Sequence, residues 1–254
     1  MTKSDIHYNQ KHIYNYLDQH LTILQQNVAS FSNCNLRDLN WKNYQYYSQD
    51  YLGIVFQEMK FPEYLSKRMS GTLIVTPRNK KIVTNTVMSP SRQHFTKMHE
   101  LVHFWEHAKN KSKLVNYNFM DMVDKGSYDI SIQNDLREIE ANIGAGILMV
   151  NSWQLHEMIV NNYSWSTALS IFEISNSAFY YRVKQFLENE LSIPTKQSSG
   201  LTINGRKYGL GYLKKYCNDW YSEKLSKSSQ KTQDLIYIEA NNPHWNDYQE
   251  PFEE

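Results

Sequence analysis

One stretch constrains this chain more than any other: Arg92-Gln-His-Phe-Thr-Lys-Met-His99-Glu100-Leu-Val-His103-Phe-Trp-Glu-His107. It contains a His-Glu-x-x-His. In an α-helix residues four apart lie on one face, one turn above each other, so His99 and His103 can offer two imidazole nitrogens to one ion with Glu100 beside it. Those residue types at that spacing point to zinc hydrolysis: Zn²⁺ takes two histidines and a third protein ligand and keeps water in its fourth position, and the glutamate takes a proton from that water. Phe95, Met98, Leu101, Val102 and Trp105 are spaced to bury one side of the helix, and Ser89-Pro90 supplies a cap followed by proline at the first helical position. The competing reading is a surface helix that is merely rich in histidine.

His107 extends the ladder to i, i+4, i+8, but at 1.5 Å per residue it stands about 12 Å along the axis from His99, too far to share one ion. It is expected to support the ligands from behind or simply to pack. A three-histidine site would also need a glycine turn after His103, where Phe104-Trp105-Glu106 stands. The third ligand is sought on a second helix opened by Glu138-Ile-Glu140-Ala-Asn142, in which Glu138, Ala141, Asn142, Ala145 and Met149 share one face. Glu138 is the choice. Asn142, one turn on, is placed to hydrogen-bond a histidine ligand's free N–H or the carboxylate. Glu140 projects about 200° away from Glu138, so the two cannot both face the metal. Asp135-x-x-Glu138 also reads as a capping box, in which the glutamate satisfies only a backbone N–H.

With Phe95-Thr96, His99-Glu100-Leu101, His103 and His107 followed by Glu138-x-Glu140-Ala-Asn142 and a small-residue run to Leu148-Met149, the chain resembles the ImmA/IrrE family of metallopeptidases from about Leu52 to Leu187. It departs from the family's usual pattern at Val102, where glycine is common, at Ile143-Gly144, where Phe-Ala is common, and at Val150, where proline is common. The ligand positions are untouched. The resemblance implies a zinc-dependent, gluzincin-like core with His99, His103 and Glu138 as ligands and Glu100 as the base. It further implies a protein substrate, since members of the family are associated with cleavage of helix-turn-helix repressors, often from mobile elements or stress circuits.

Around this centre the pattern predicts an α+β fold, a small antiparallel sheet packed on the zinc helix and the glutamate helix, flanked by helical segments. Ile13, Leu17, Leu21, Leu24, Val28 and Phe31 mark an N-terminal amphipathic helix, and the aromatic run Trp41 to Tyr51 a connector or short helix. Leu52-Gly-Ile-Val-Phe reads as a strand, and Gly71 to Thr76 with Lys81 to Thr86 as a hairpin around Pro77-Arg-Asn-Lys. An edge of such a sheet can hold an extended substrate by main-chain hydrogen bonds. The polar stretch between Lys109 and Asn134 reads as connection or cover, with Tyr117 and Tyr128 as candidate oxyanion donors. Beyond Met149, a helix capped by Asn151 or Ser152 runs to Val160, and Trp165 to Glu173, Ile174-Ser-Asn176 and Ser177 to Leu187 read helix, turn, helix. Glu173, Glu188 and Glu190 balance Arg182 and Lys184 there, which favours packing or substrate recognition over DNA contact. Pro194 to Gly205 is expected to be a loop, Tyr208 to Tyr221 a last helix, and Leu235-Ile-Tyr-Ile a short strand in a polar, acidic tail. The expected division is 1–50 N-terminal helical segment, 51–150 catalytic core, 151–191 helix-turn-helix-like segment and 192–254 C-terminal helix and tail.

Composition narrows the partners. A formal charge of +1 on 254 residues gives no electrostatic footprint for nucleic acid or an anionic membrane. Cys34 and Cys217, far apart and without CxxC spacing, point to a reduced compartment, and the polar opening with no bilayer-length apolar run points to the cytoplasm. No Ser-His-Asp or Cys-His arrangement competes with the zinc site. The rivals to a zinc endopeptidase are a sensory or DNA-binding regulator that keeps the fold without proteolysis, and a scaffold with structural zinc. The scaffold would call for four protein ligands where three are found.

Overall fold

The first helix, α1 (Lys3–Ser32), buries Leu17, Leu21, Leu24 and Val28 of the predicted stripe completely, while Ile13 is partly buried and its neighbour Tyr14 takes the inner place. Phe31 leaves the stripe, packing edge-on against Tyr47 at 5.6 Å while half exposed, because the chain turns away at Asn33 in the left-handed conformation. In this computed structural model residues 3–66, 69–76, 78–108, 117–122, 132–217, 219–224 and 226 are described. The aromatic run is a helix, α2 (Trp41–Asp50), started by a reciprocal cap between Asn40 and Asn43. It touches both α1 and the first strand.

The sheet comprises β1 (Ile54–Met59), β2 (Met69–Thr76), β3 (Asn79–Asn85) and β4 (Tyr117–Met122) in the order β1-β3-β2-β4, with a one-turn helix, α3 (Glu63–Ser66), between β1 and β2. β2 and β3 form the expected antiparallel hairpin, from Gly71 opposite Thr84 to Thr76 opposite Asn79. β1, however, runs parallel to β3, so the sheet is mixed and not wholly antiparallel. The physical reason is that β2 lies one strand position away from β1, and β3 fills the position between them in the direction of β1. β4 pairs antiparallel with β2 inside the stretch read as connection, where Asn118 and Asp121 obscure the strand signal. The segment Leu235 to Ile238 lies outside the described residues.

The zinc-motif helix, α4 (Pro90–Val102), packs on β2 and β3. Gly71 permits that approach, since a Cβ there would collide with Thr96 Cγ2 and stand 2.9 Å from the Val83 carbonyl oxygen. From His103 to Ala108 the same helix widens into π-helical turns. The glutamate helix, α5 (Ile132–Met149), crosses α4 and α1. A Cβ on Gly144 would lie 2.8 and 2.9 Å from the two Val102 methyls and 3.2 Å from Leu21 Cδ1. Two of the departures from the family's usual pattern therefore answer each other: valine fills the space that glycine across the interface leaves.

Helices α6 (Ser152–Val160), α7 (Trp165–Phe172) and α8 (Asn176–Gln185) follow, capped by Asn151, Ser164 and Ser175. The expected loop at Pro194 to Gly205 is instead a helix, α9 (Thr195–Tyr208). Its Ser, Gly and Thr form a small-residue face, with Ser198, Leu201, Thr202 and Gly205 buried at three-and-four spacing and Gly205 closing on Leu213. The expected last helix over Tyr208 to Tyr221 is broken at Gly209 (φ 94°), and only 3₁₀ turns follow from Leu210 to Tyr216. One buried apolar cluster runs from Tyr14 to Trp220.

Arg182 of α8 is fully buried within it and donates to the Val150 carbonyl (2.7 Å), Ser152 Oγ (2.9 Å) and Tyr14 Oη (3.2 Å). Tyr14 donates in turn to Glu190 (2.7 Å), which Lys224 and Trp220 also reach at 2.9 and 3.0 Å. Lys184 pairs with Glu188 at 2.9 Å, so among the described residues α8 turns no unpaired cation outward. No described helix is long and apolar enough to cross a membrane.

The helix contact yields a test of packing. Gly144→Ala should cost about 1 to 3 kcal/mol in urea unfolding by overpacking Val102. Val102→Ala in the same chain should recover part of that loss, so the double variant should be more stable than the sum of the two single changes.

Candidate metal centre

Two helices build the site. α4 and the π-helical turns that continue it set His99 and His103 one above the other with their Nε2 atoms 3.0 Å apart. α5 brings Glu138 across from them, Oε2 at 3.3 Å from His99 Nε2 and Oε1 at 3.2 Å from His103 Nε2. These ligand atoms lie within 4.8 Å of one another, and among the described residues they are the group of such side chains able to hold a metal ion. Two imidazoles and a carboxylate are a donor set that fits catalytic zinc. The histidines are buried, and the Glu138 side chain, 31% exposed, is the solvent side of the cluster. Glu100, next to His99 on the helix, is fully buried.

The predicted residues fall into place unequally. Glu138 is not at a helix start, since α5 begins at Ile132, three residues before Asp135, which removes the capping-box alternative. His107 stands behind His103 and outside the candidate group: its Nδ1 meets His103 Nδ1 at 3.1 Å. Asn142, expected to support a ligand, is exposed instead. At about 100° per residue the line of α5 facing α4 passes through Ala141 and Gly144, and Asn142 is rotated past Glu138 away from it. Glu140 instead comes close, its Oε2 lying 2.7 Å from His107 Nε2. The same 200° separation that keeps it off the metal puts it on the opposite flank of the α4-facing line, and that signal was present in the sequence. Tyr117 opens β4, and Tyr128 lies outside the described residues.

On the π-helical turns Glu106 accepts from Tyr16 Oη at 3.1 Å and lies 3.4 Å from His20 Nδ1, which ties this end of the metal helix to α1. Burial pushes His103 down to about 4, against the opposing effect of the Glu138 carboxylate beside it. For Glu138 burial acts upward, but the imidazoles of His103 and His99 beside it outweigh that and hold the carboxyl at about 2. In the metal-free protein at neutral pH both groups are thus in the forms a metal ion needs, neutral imidazole and carboxylate.

A helix with two buried histidines four apart, a glutamate between them and a carboxylate arriving from the next helix define the class, a metallopeptidase. The chain belongs to the M78 peptidase family, whose IrrE N-terminal-like domain matches residues 49–184, more than half its length. Comparison with curated proteins gives no match.

The buried histidine makes the metal-free protein acid-sensitive. An unfolded chain's histidine titrates near 6.5, so between there and about 4 the unfolded state takes up a proton that folded His103 refuses, and stability falls as pH falls. Chelator-treated protein should lose on the order of 2 kcal/mol between pH 7.5 and 5 from this group. The loss should shrink in His103→Gln, as read by urea unfolding at the two pH values.

Proposed function

We propose that the protein is a zinc-dependent endopeptidase that cuts a protein substrate by direct attack of water. The observation that carries this reading is the convergence of His99, His103 and Glu138 on one point, with Glu100 on the adjoining helical position. Zinc bound there would polarise the scissile carbonyl and the attacking water. Glu100 takes the proton from that water and passes one to the leaving amine, so no acyl-enzyme forms. His99 and His103 hold their positions through burial, and Glu138 completes the set from α5. Three protein ligands also suit catalysis better than a closed structural site, which has four.

For the substrate we infer a helix-turn-helix repressor met in the cytoplasm, as the family resemblance implies. Ile171 and Tyr181, exposed on α7 and α8, offer apolar contact for a folded partner. β1, an edge strand with Val55 and Met59 exposed, offers main-chain groups to an extended segment. The DNA-binding alternative draws little support from α8, whose Arg182 is spent inside the core.

The protein should carry about one zinc per chain, and alanine at His99, His103 or Glu138 should remove it. Zinc retained in all three single variants would place the site elsewhere. Glu100→Gln should keep fold and zinc while losing at least about 100-fold in cleavage. Co-expression with candidate repressors, followed by intact-mass measurement, should show one or a few cuts with wild type and none with Glu100→Gln. Broad digestion of casein without a preferred repressor would sink the substrate assignment.

A further inference from the structure

We propose that Glu140 and His107 are positioning residues that, through two successive hydrogen bonds, fix which nitrogen of His103 carries its proton and so aim its Nε2 lone pair at the metal position. The inference rests on the zinc reading above. It starts from three contacts in a row: Glu140 Oε2 to His107 Nε2 at 2.7 Å, His107 Nδ1 to His103 Nδ1 at 3.1 Å, and His103 Nε2 facing His99 and Glu138 at 3.0 and 3.2 Å.

Proton counting leaves one arrangement of neutral rings. An ionised carboxylate only accepts, so the proton between Glu140 and His107 belongs to His107 Nε2. A neutral imidazole has one N–H, which leaves His107 Nδ1 bare and accepting. Two Nδ1 atoms at 3.1 Å share one proton, so it sits on His103. His103 Nε2 is then bare, and its lone pair points into the space between His99 Nε2 and the Glu138 carboxylate. His99 Nε2 and the Glu138 carboxylate border that same space, an arrangement a cation stabilises. Metal-ligating histidines commonly give their second N–H to a carboxylate, which sets ring orientation and ligand basicity. Here the carboxylate acts through one further imidazole.

Geometry explains how the chain achieves this. Glu138 and Glu140 leave α5 on opposite flanks of the line that faces α4, one toward the ligand nitrogens and the other toward the π-helical turns that carry His107. His107 is largely buried and Glu140 about a quarter exposed, so water competes weakly for the inner bond. His99 has no matching support: its Nδ1 is buried without a hydrogen-bond partner among the described residues. Control of the tautomer falls on the His103 branch.

Two measurements on the full zinc-loaded chain test this. Long-range ¹⁵N–¹H spectra of histidine-labelled protein should show His103 protonated at Nδ1 and His107 protonated at Nε2 alone. Chelator competition should show zinc held about 10- to 100-fold more weakly in Glu140→Ala and in His107→Phe. His107→Asn, whose Oδ1 takes the place of Nδ1 and accepts from His103, should recover most of the affinity, and adding Glu140→Ala to it should cost nothing more. Zinc bound by wild type with His107 protonated at Nδ1, or at both nitrogens, overturns the relay alone, as does unchanged affinity in Glu140→Ala. Wild type that takes up no zinc overturns the metal reading and the relay with it.

Discussion

The backbone of one helix must settle onto a side chain of the next for this site to exist. Glutamate side chains are short, and Glu138 reaches the α4 histidines only because Gly144 lets α5 settle onto Val102. The rest of the core holds α4 in that grip. Gly71 lets the hairpin come down on Thr96 from one side, α2 packs on α4 from another, and Leu21 of α1 backs α5 at Gly144. A helix clamped between a sheet and two other helices has little freedom to shift its side chains, which is what a preorganised set of ligands requires.

Burial creates a second demand. An imidazole withdrawn from water carries two polar nitrogens, and each needs an occupant. The ladder of histidines satisfies much of this internally, each ring addressing the next, with carboxylates on both flanks to terminate it. The widening of the helix at His103 belongs to the same solution, since π-turns recur where a helix must present side chains at positions regular winding would not allow.

What was legible beforehand follows from range. The histidine spacing from α4 into the π-helical turns, the apolar stripe of α1 and the cap at Asn151 are written in residues three or four apart, and each appears where local rules place it. The parallel partner of β1 was not legible, because which strand fills a gap depends on the path of the link and not on alternation within the strand. α9 was misread because Ser, Thr and Gly mark both loops and tightly packed helix faces, and only a neighbour such as Leu213 decides between them. At the site, Asn142, expected beside the histidines, is exposed, and Glu140 meets His107. Periodicity placed both correctly on the helix, but the direction in which α4 lies is a tertiary fact.

The buried cluster around Arg182 bears on where the molecule can be divided. The region that matches the family ends at residue 184, yet Tyr14, Glu190 and Lys224, which complete the hydrogen bonding around that guanidinium, all lie beyond its limits. A fragment trimmed to the matched span would keep an interior cation and lose its carboxylate and phenol, an imbalance that typically costs about 3 to 5 kcal/mol. The borders of recognisable likeness and the borders of the cooperative folding unit are therefore different lines along this chain.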